Sequence, residues 1–186
     1  MLRFFLILVS VTLSFMPAAS ATEAGWALLR NGGQVVLLVH ANAPGTGDPA
    51  HFDIDNCRTQ RNLSDRGRQQ ARRIGALFAA RAEPVGQVYA SRYCRTLETA
   101  RLAFGNGLVE AWEPLDPVSS DEEQAAEQRQ AILELISDYS DSGNLVLVTH
   151  QDVVRALAGV NAREGEAVIV VPQGEGLHSI GRIAFN

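Results

Sequence analysis

Five consecutive apolar residues, Val35-Val36-Leu37-Leu38-Val39, run straight into His40 and then into Asn42, Pro44 and Gly45. A short apolar run rich in β-branched residues and closed by turn formers reads as a buried strand. Such a strand carries His40 at its C-terminal end, the edge where open α/β sheets bind ligands. The pattern returns late in the chain, where Leu145-Val146-Leu147-Val148-Thr149 runs into His150. Between them, a strand over residues 85–90 leads through Ser91 into a helix carrying Arg95. If the three strands are parallel, their C-terminal ends share one side, and His40, Arg95 and His150 converge on one pocket.

The rest of the chain alternates in the same way. Residues 23–30 read as a short helix stopped by Gly32 and Gly33. Residues 42–62 form a long loop containing Gly45, Gly47, Asp48 and Pro49; a loop of that length directly after a candidate catalytic residue points to function. Ser64 caps a helix with an apolar stripe at Ala71, Ile74, Gly75 and Phe78, stopped by Pro84. A helix over 92–104 takes Ser91 as its cap, and Leu108-Val109 is a short third strand. Ser120 and Glu123 form a capping box for a helix reaching Tyr139. A helix over 153–158 ends at Gly159, and strands over 167–171 and 177–184 form a terminal hairpin. Strands alternating with helices predict an α/β fold, a three-layer α/β/α sandwich whose mostly parallel sheet ends in an antiparallel edge.

The first residues read as something other than the fold. Arg3, an apolar run over 4–16, and Ala19-Ser20-Ala21 make a leader with a small-x-small cleavage site. The run is short against the ~20 residues of a membrane span. The expectation is an exported protein, periplasmic or secreted, with residues 1–21 removed, 22–186 as one domain and no membrane anchor left after cleavage. Losing Arg3 takes the chain from 16 basic and 21 acidic residues to 15 and 21, net −6, with no lysine among them. An acidic chain has no global attraction for nucleic acid, so an anionic ligand must be held by a local arginine cluster. Of the two cysteines, Cys57 and Cys94, export favours a disulfide; two small buried thiols are the plainer alternative.

Taken together, VVLLVHA ending at Ala41, NLSDRGRQQA over 62–71, VYASRYCRTLETA over 88–100 and LVLVTHQDVVRALAG over 145–159 resemble the histidine phosphatase superfamily. This superfamily includes the phosphoglycerate-mutase-like enzymes and acid phosphatases. The loop GDPAHFDIDNCRTQRNLS resembles an exported bacterial branch that includes lipopolysaccharide-core phosphatase-like proteins. The resemblance implies a phosphomonoester hydrolase working through a phosphohistidine. It makes His40 the nucleophile, Arg95 the phosphate clamp and His150 a donor to an equatorial oxygen, with Gln151 adding its backbone N–H at a helix start. Arg61 and Asn62, from the loop, join the substrate-binding set. No metal or other cofactor is required. The substrate expected is a phosphorylated small molecule, sugar or lipid-linked group.

The family carries arginine directly before the nucleophile, and this chain has Val39. Valine offers neither charge nor hydrogen bond, and one preorganised donor is worth ~10²–10³ in rate, so reduced activity is expected. Arg58 or Arg61 are candidates to compensate; the plainer reading of both is solvated loop charge. The proton donor to the leaving group is expected among Asp116 and Glu113, ranked equally, with Glu110 behind. His51 and His178 read as residues without a role. The alternative function is a weakly catalytic pseudophosphatase that binds a phosphorylated ligand.

Overall fold

The computed structural model describes residues 19–185. The expected leader falls outside the described residues up to position 18, and its last three residues open the first helix. In chain order the elements are α1 (Ala19–Leu29), β1 (Val35–Val39), α2 (Asp65–Ala80), β2 (Val85–Ala90) and α3 (Cys94–Phe104). Then follow β3 (Val109–Ala111), α4 (Glu122–Asp138), β4 (Asn144–Thr149), α5 (Gln151–Ala158), β5 (Glu166–Gln173) and β6 (Gly176–Ala184). The six strands form one mixed sheet in the order β3-β2-β4-β1-β5-β6. β3, β2, β4 and β1 pair in parallel; β5 runs antiparallel to β1, and β6 antiparallel to β5.

Both faces of the sheet are covered, which is why β1 and β4 are apolar without alternation and buried at every position. On one face Val36, Leu38, Val146 and Val148 meet Trp26 and Leu29 of α1, Ile74 and Phe78 of α2 and Ala100 of α3. Trp26 packs edge-on against Phe78 and Phe185, centroids 5.2 and 5.7 Å away. On the other face Val35, Leu37, Val39, Leu145 and Leu147 meet Ile132 and Ile136 of α4 and Val153, Val154 and Leu157 of α5. Val39 is therefore a fully buried core residue.

Several ends differ from the sequence reading. The helix expected to start with a Ser120–Glu123 box starts at Glu122, capped by the Asp121 carboxylate, which accepts from the Gln124 N–H. The spacing is equivalent, and a carboxylate is the stronger acceptor at the positive end of a helix. Ser91 does not cap α3; Tyr93 stands at that position with no side-chain bond, because the Ser91 hydroxyl is engaged elsewhere. β3 is shifted to Val109–Ala111, and α5 begins two residues earlier than expected, at Gln151.

The loop after β1 is fastened at both ends. Gly67, in the first turn of α2, lies so close to the Asn42 carbonyl that a Cβ would sit 2.1 Å from its oxygen. Ser64 accepts the Gly67 N–H and donates to the Asn42 side-chain oxygen. Further along, a disulfide joins Cys57 to Cys94, the first residue of α3, with Cα atoms 5.7 Å apart. The Gln60 side chain closes the same seam, accepting the Cys94 N–H and donating to the carbonyls of Asp53 and Ile54. For a sequence separation of 37, loop-closure entropy assigns the bridge about 4 kcal/mol at most. Replacing both cysteines by serine is expected to lower unfolding free energy by about 2–4 kcal/mol in a urea titration; an unchanged midpoint and slope would show that the bridge adds no stability.

Candidate active site

Three parallel strands each hand a polar residue to one edge. His40 follows β1, Ser91 follows β2 and His150 follows β4, and all three are buried. The His40 backbone is fixed on both sides: its N–H donates to the Thr149 carbonyl, and its carbonyl accepts the Gly165 N–H. Arg95 sits in the first turn of α3 with a side chain only 4% exposed. The imidazoles of His40 and His150 lie 5.5 Å apart, centroid to centroid. The structure thus brings His40, Arg95 and His150 into one cluster.

Each imidazole is oriented by its neighbours. His40 Nδ1 is 2.8 Å from the Ala41 carbonyl, which can only accept, so Nδ1 carries the proton and Nε2 keeps its lone pair. Burial, with Arg95 and Arg61 adding to it, lowers the His40 pKa to about 3, so the ring is neutral at ordinary pH. For His150, Nδ1 faces Arg95 Nη2 at 3.3 Å and Nε2 faces Ser91 Oγ at 2.8 Å. Arg95 can only donate, so the proton of His150 lies on Nε2 and points to Ser91, whose hydroxyl donates onward to Asp116. Burial, followed by Arg95, holds the His150 pKa well below its usual value.

Arg61 is the second guanidinium of the cluster. Its Nη1 donates to the carbonyls of Ala43 and Gly45 and to Glu164, which lies between α5 and β5. Its Nη2 lies 3.5 Å from His40 Nε2, and its Nε is buried with no partner. One end of the guanidinium is therefore anchored, and the Nε–Nη2 edge is turned to the space beside His40 Nε2. Arg58, three residues earlier, is exposed. Glu164 was not legible in the sequence: it also accepts from Asn42 Nδ2 and the Ala43 N–H, and nothing in its local sequence marks it.

The remaining candidates divide. Asp116 is in the cluster, but its carboxylate accepts from Ser91 Oγ, the Arg92 N–H and Arg92 Nε, and pairs with Arg92 Nη2. Glu113 is exposed and reaches the site only through Arg92 Nη2, at 3.0 Å. Glu110 is exposed on β3. Asn62 braces the loop, donating to the carbonyls of Cys57 and Gln60. Gln151 turns its side chain to the Ala162 carbonyl, while its backbone occupies the first position of α5. Asp48, one of the residues of the long loop, places both carboxylate oxygens on Arg95 Nη1 at 3.0 and 3.1 Å. His51 and His178 are exposed.

Residues 54–117 match the family model described as histidine phosphatase superfamily (branch 1). That span holds Arg61, Ser91, Arg95 and Asp116 and ends before β4. No curated protein matched the sequence. Among solved structures, the chain is similar to a putative alpha-ribazole-5'-P phosphatase from Escherichia coli, with 13% identity, a TM-score of 0.62 and coverage of 82% of this chain and 98% of that one. It is similar to a putative phosphohistidine phosphatase SixA from Agrobacterium tumefaciens at 17% identity and a TM-score of 0.57, covering 81% and 97%. It is also similar to a phosphoserine phosphatase mutant from Entamoeba histolytica solved with phosphoserine, at 11% identity and a TM-score of 0.58, covering 82% and 98%. At these identities the structures establish a shared fold, and the family model adds a match over residues 54–117, about a third of the chain.

Proposed function

We propose that the protein is a phosphomonoester hydrolase in which His40 Nε2 attacks phosphorus. The observation that carries this reading is the His40 geometry: a buried, neutral imidazole with Nδ1 held by the Ala41 carbonyl and Nε2 facing a guanidinium. A neutral imidazole is a nucleophile without prior deprotonation. As the Nε2–P bond forms, the ester P–O bond breaks and the leaving oxygen takes a proton from solvent to give the alcohol; water then attacks the phosphohistidine, gives a proton back to solvent, and releases phosphate with Nε2 restored. The protein's part is positioning and charge stabilisation of a loose transition state. Arg95 and Arg61 supply the positive charge, and the Nε–Nη2 edge of Arg61 lies beside the reacting nitrogen. His150 becomes a donor through Nδ1 when it gains a proton there. Ser91 and Asp116 then stand behind its other nitrogen, so Asp116 acts on His150 through Ser91 and not on the leaving group. The substrate class that fits is a phosphorylated small molecule, sugar or lipid-linked group. The Cys57–Cys94 bridge supports export to an oxidising compartment.

Val39 supports a second reading. It is fully buried among apolar residues and adds no donor to the pocket, and His40 is itself only 1% exposed. A weakly catalytic protein that holds a phosphorylated ligand fits these two facts.

An aryl phosphate, whose leaving group needs no protonation, separates the readings. Slow hydrolysis by the purified protein, lost on His40→Ala, is expected; an unchanged rate in His40→Ala would remove the nucleophile assignment. Arg61→Ala is expected to lower kcat/KM about 10²-fold while Arg58→Ala leaves it unaltered, and Val39→Arg, with the fold checked by circular dichroism, to raise it at least ~10-fold. Equal effects at Arg58 and Arg61 would show that Arg61 has no special place. For export, protein recovered from a periplasmic or secreted fraction is expected to have an intact mass lacking residues 1–21; a full-length product confined to the cytoplasm would refute it.

A further inference from the structure

Asp48 takes up donors that the phosphatase reading gives to a phosphoryl group. Its Oδ1 accepts the Arg61 backbone N–H at 2.8 Å and Arg95 Nη1 at 3.0 Å, and its Oδ2 takes Arg95 Nη1 at 3.1 Å. These are charge-assisted bonds to the guanidinium assigned to the phosphate, made by a carboxylate that is largely buried. The loop carrying it covers the pocket: Phe52 stacks on Tyr93 at 5.0 Å, and Tyr93 lies edge-on to His150 at 5.1 Å. Under this cover His40 is 1% and His150 3% exposed. A phosphoryl group cannot reach His40 Nε2 while the loop is seated in this way.

The charges agree with the geometry. Arg95 is paired with Asp48 and Arg61 with Glu164, and both histidines are neutral. The four ionised side chains cancel, so the closed pocket offers a phosphoryl dianion no net attraction. Removing Asp48 from Arg95 leaves one net positive charge in a site of low dielectric, and frees the Arg61 N–H together with Arg95 Nη1. The buried, unpartnered Nε of each arginine shows that further donors stand ready around the same space.

We infer that Asp48 is an internal competitor for the phosphoryl site: it holds Arg95 in the free protein, and a phosphorylated ligand binds by displacing it together with the stretch of loop ahead of the Cys57–Cys94 bridge, which leaves Arg61 in place. This rests on the phosphatase reading, which supplies the ligand. Affinity is then lowered by the fraction of molecules in which Asp48 is seated; occupancy of 90–99% costs about 10- to 100-fold in apparent Kd. The device sets a threshold: a weak anion does not open the loop, and a ligand that uses both guanidinium groups does.

The test is binding of inorganic phosphate to the wild type and to Asp48→Asn, which keeps the side chain's shape and removes its charge. Asp48→Asn is expected to bind phosphate at least ~10-fold more tightly, and phosphate is expected to raise its Tm by more than that of the wild type. Equal or weaker binding by the variant would overturn the inference and make Asp48 a plain brace for the loop. If neither protein binds phosphate and neither hydrolyses an aryl phosphate, the phosphatase reading falls and the inference with it. If the variant does not fold, the wild type decides by limited proteolysis: saturating phosphate should speed cleavage between residues 44 and 52, and slowed or unaltered cleavage would overturn the inference.

Discussion

A guanidinium has been taken out of water at the sheet edge, and the rest of the site is arranged around that fact. Burial pushes the Arg95 pKa down from its usual value, the direction expected when a cation loses hydration, and Asp48 opposes that shift. An unpaired buried cation would cost several kcal/mol, by the order of magnitude seen when one partner of a buried pair is removed. Asp48 answers the charge, and His150 accepts from Nη2. The Tyr93 ring covers the face of the guanidinium, 4.7 Å from Cζ. Each of these partners comes from a different element, so the buried cation ties the loop after β1, the segment after β2 and the end of β4 to one point.

The same economy of donors fixes the protons. Arginine cannot accept and a carbonyl cannot donate, so the tautomers of His40 and His150 follow from their neighbours without further assumption. His40 has its lone pair on the side of Arg61 and its proton on the side of Ala41. His150 has the reverse arrangement, with its lone pair on the side of Arg95 and its proton on the side of Ser91. The chain from its other nitrogen through Ser91 to Asp116 is suited to supporting it once it carries a second proton. Arg92, with three bonding groups on Asp116, holds that carboxylate in place. Asp116 is thereby turned towards Ser91 and Arg92 by every bond its carboxylate makes.

What the sequence made legible was whatever follows from strand ends. The apolar runs before His40 and His150 and the helix after Ser91 predicted a parallel sheet with a shared edge, and the sheet has that form. Capping positions were legible only approximately, because neighbouring polar residues compete: Asp121 took the place expected of Ser120, and Ser91 was drawn into the histidine network. The site residues that escaped were those whose role depends on long-range contact. Asp48 and Glu164 lie 47 and 103 positions from the arginines they pair with, and in local sequence each is an ordinary loop carboxylate. Arg61 was in the expected substrate-binding set, but that its guanidinium turns inward while Arg58 is exposed is a matter of long-range contact.

The place of β1 in the sheet bears on how the chain is made. β1 pairs with β4 on one side and β5 on the other, so Val35 meets Leu145 and Val170. During synthesis the run Val35–Val39 emerges more than a hundred residues ahead of either partner. Until then it is an apolar strand with both edges open, the kind of segment most prone to pair wrongly with another copy. Cys57 and Cys94 both emerge before β4, so the loop after β1 can be stapled to α3 while the centre of the sheet is still missing. Completion then falls to the last third of the chain, which delivers β4, His150, Glu164 and β5. An unfinished chain therefore has His40 and Arg95 but lacks the strand that sets His150 beside them.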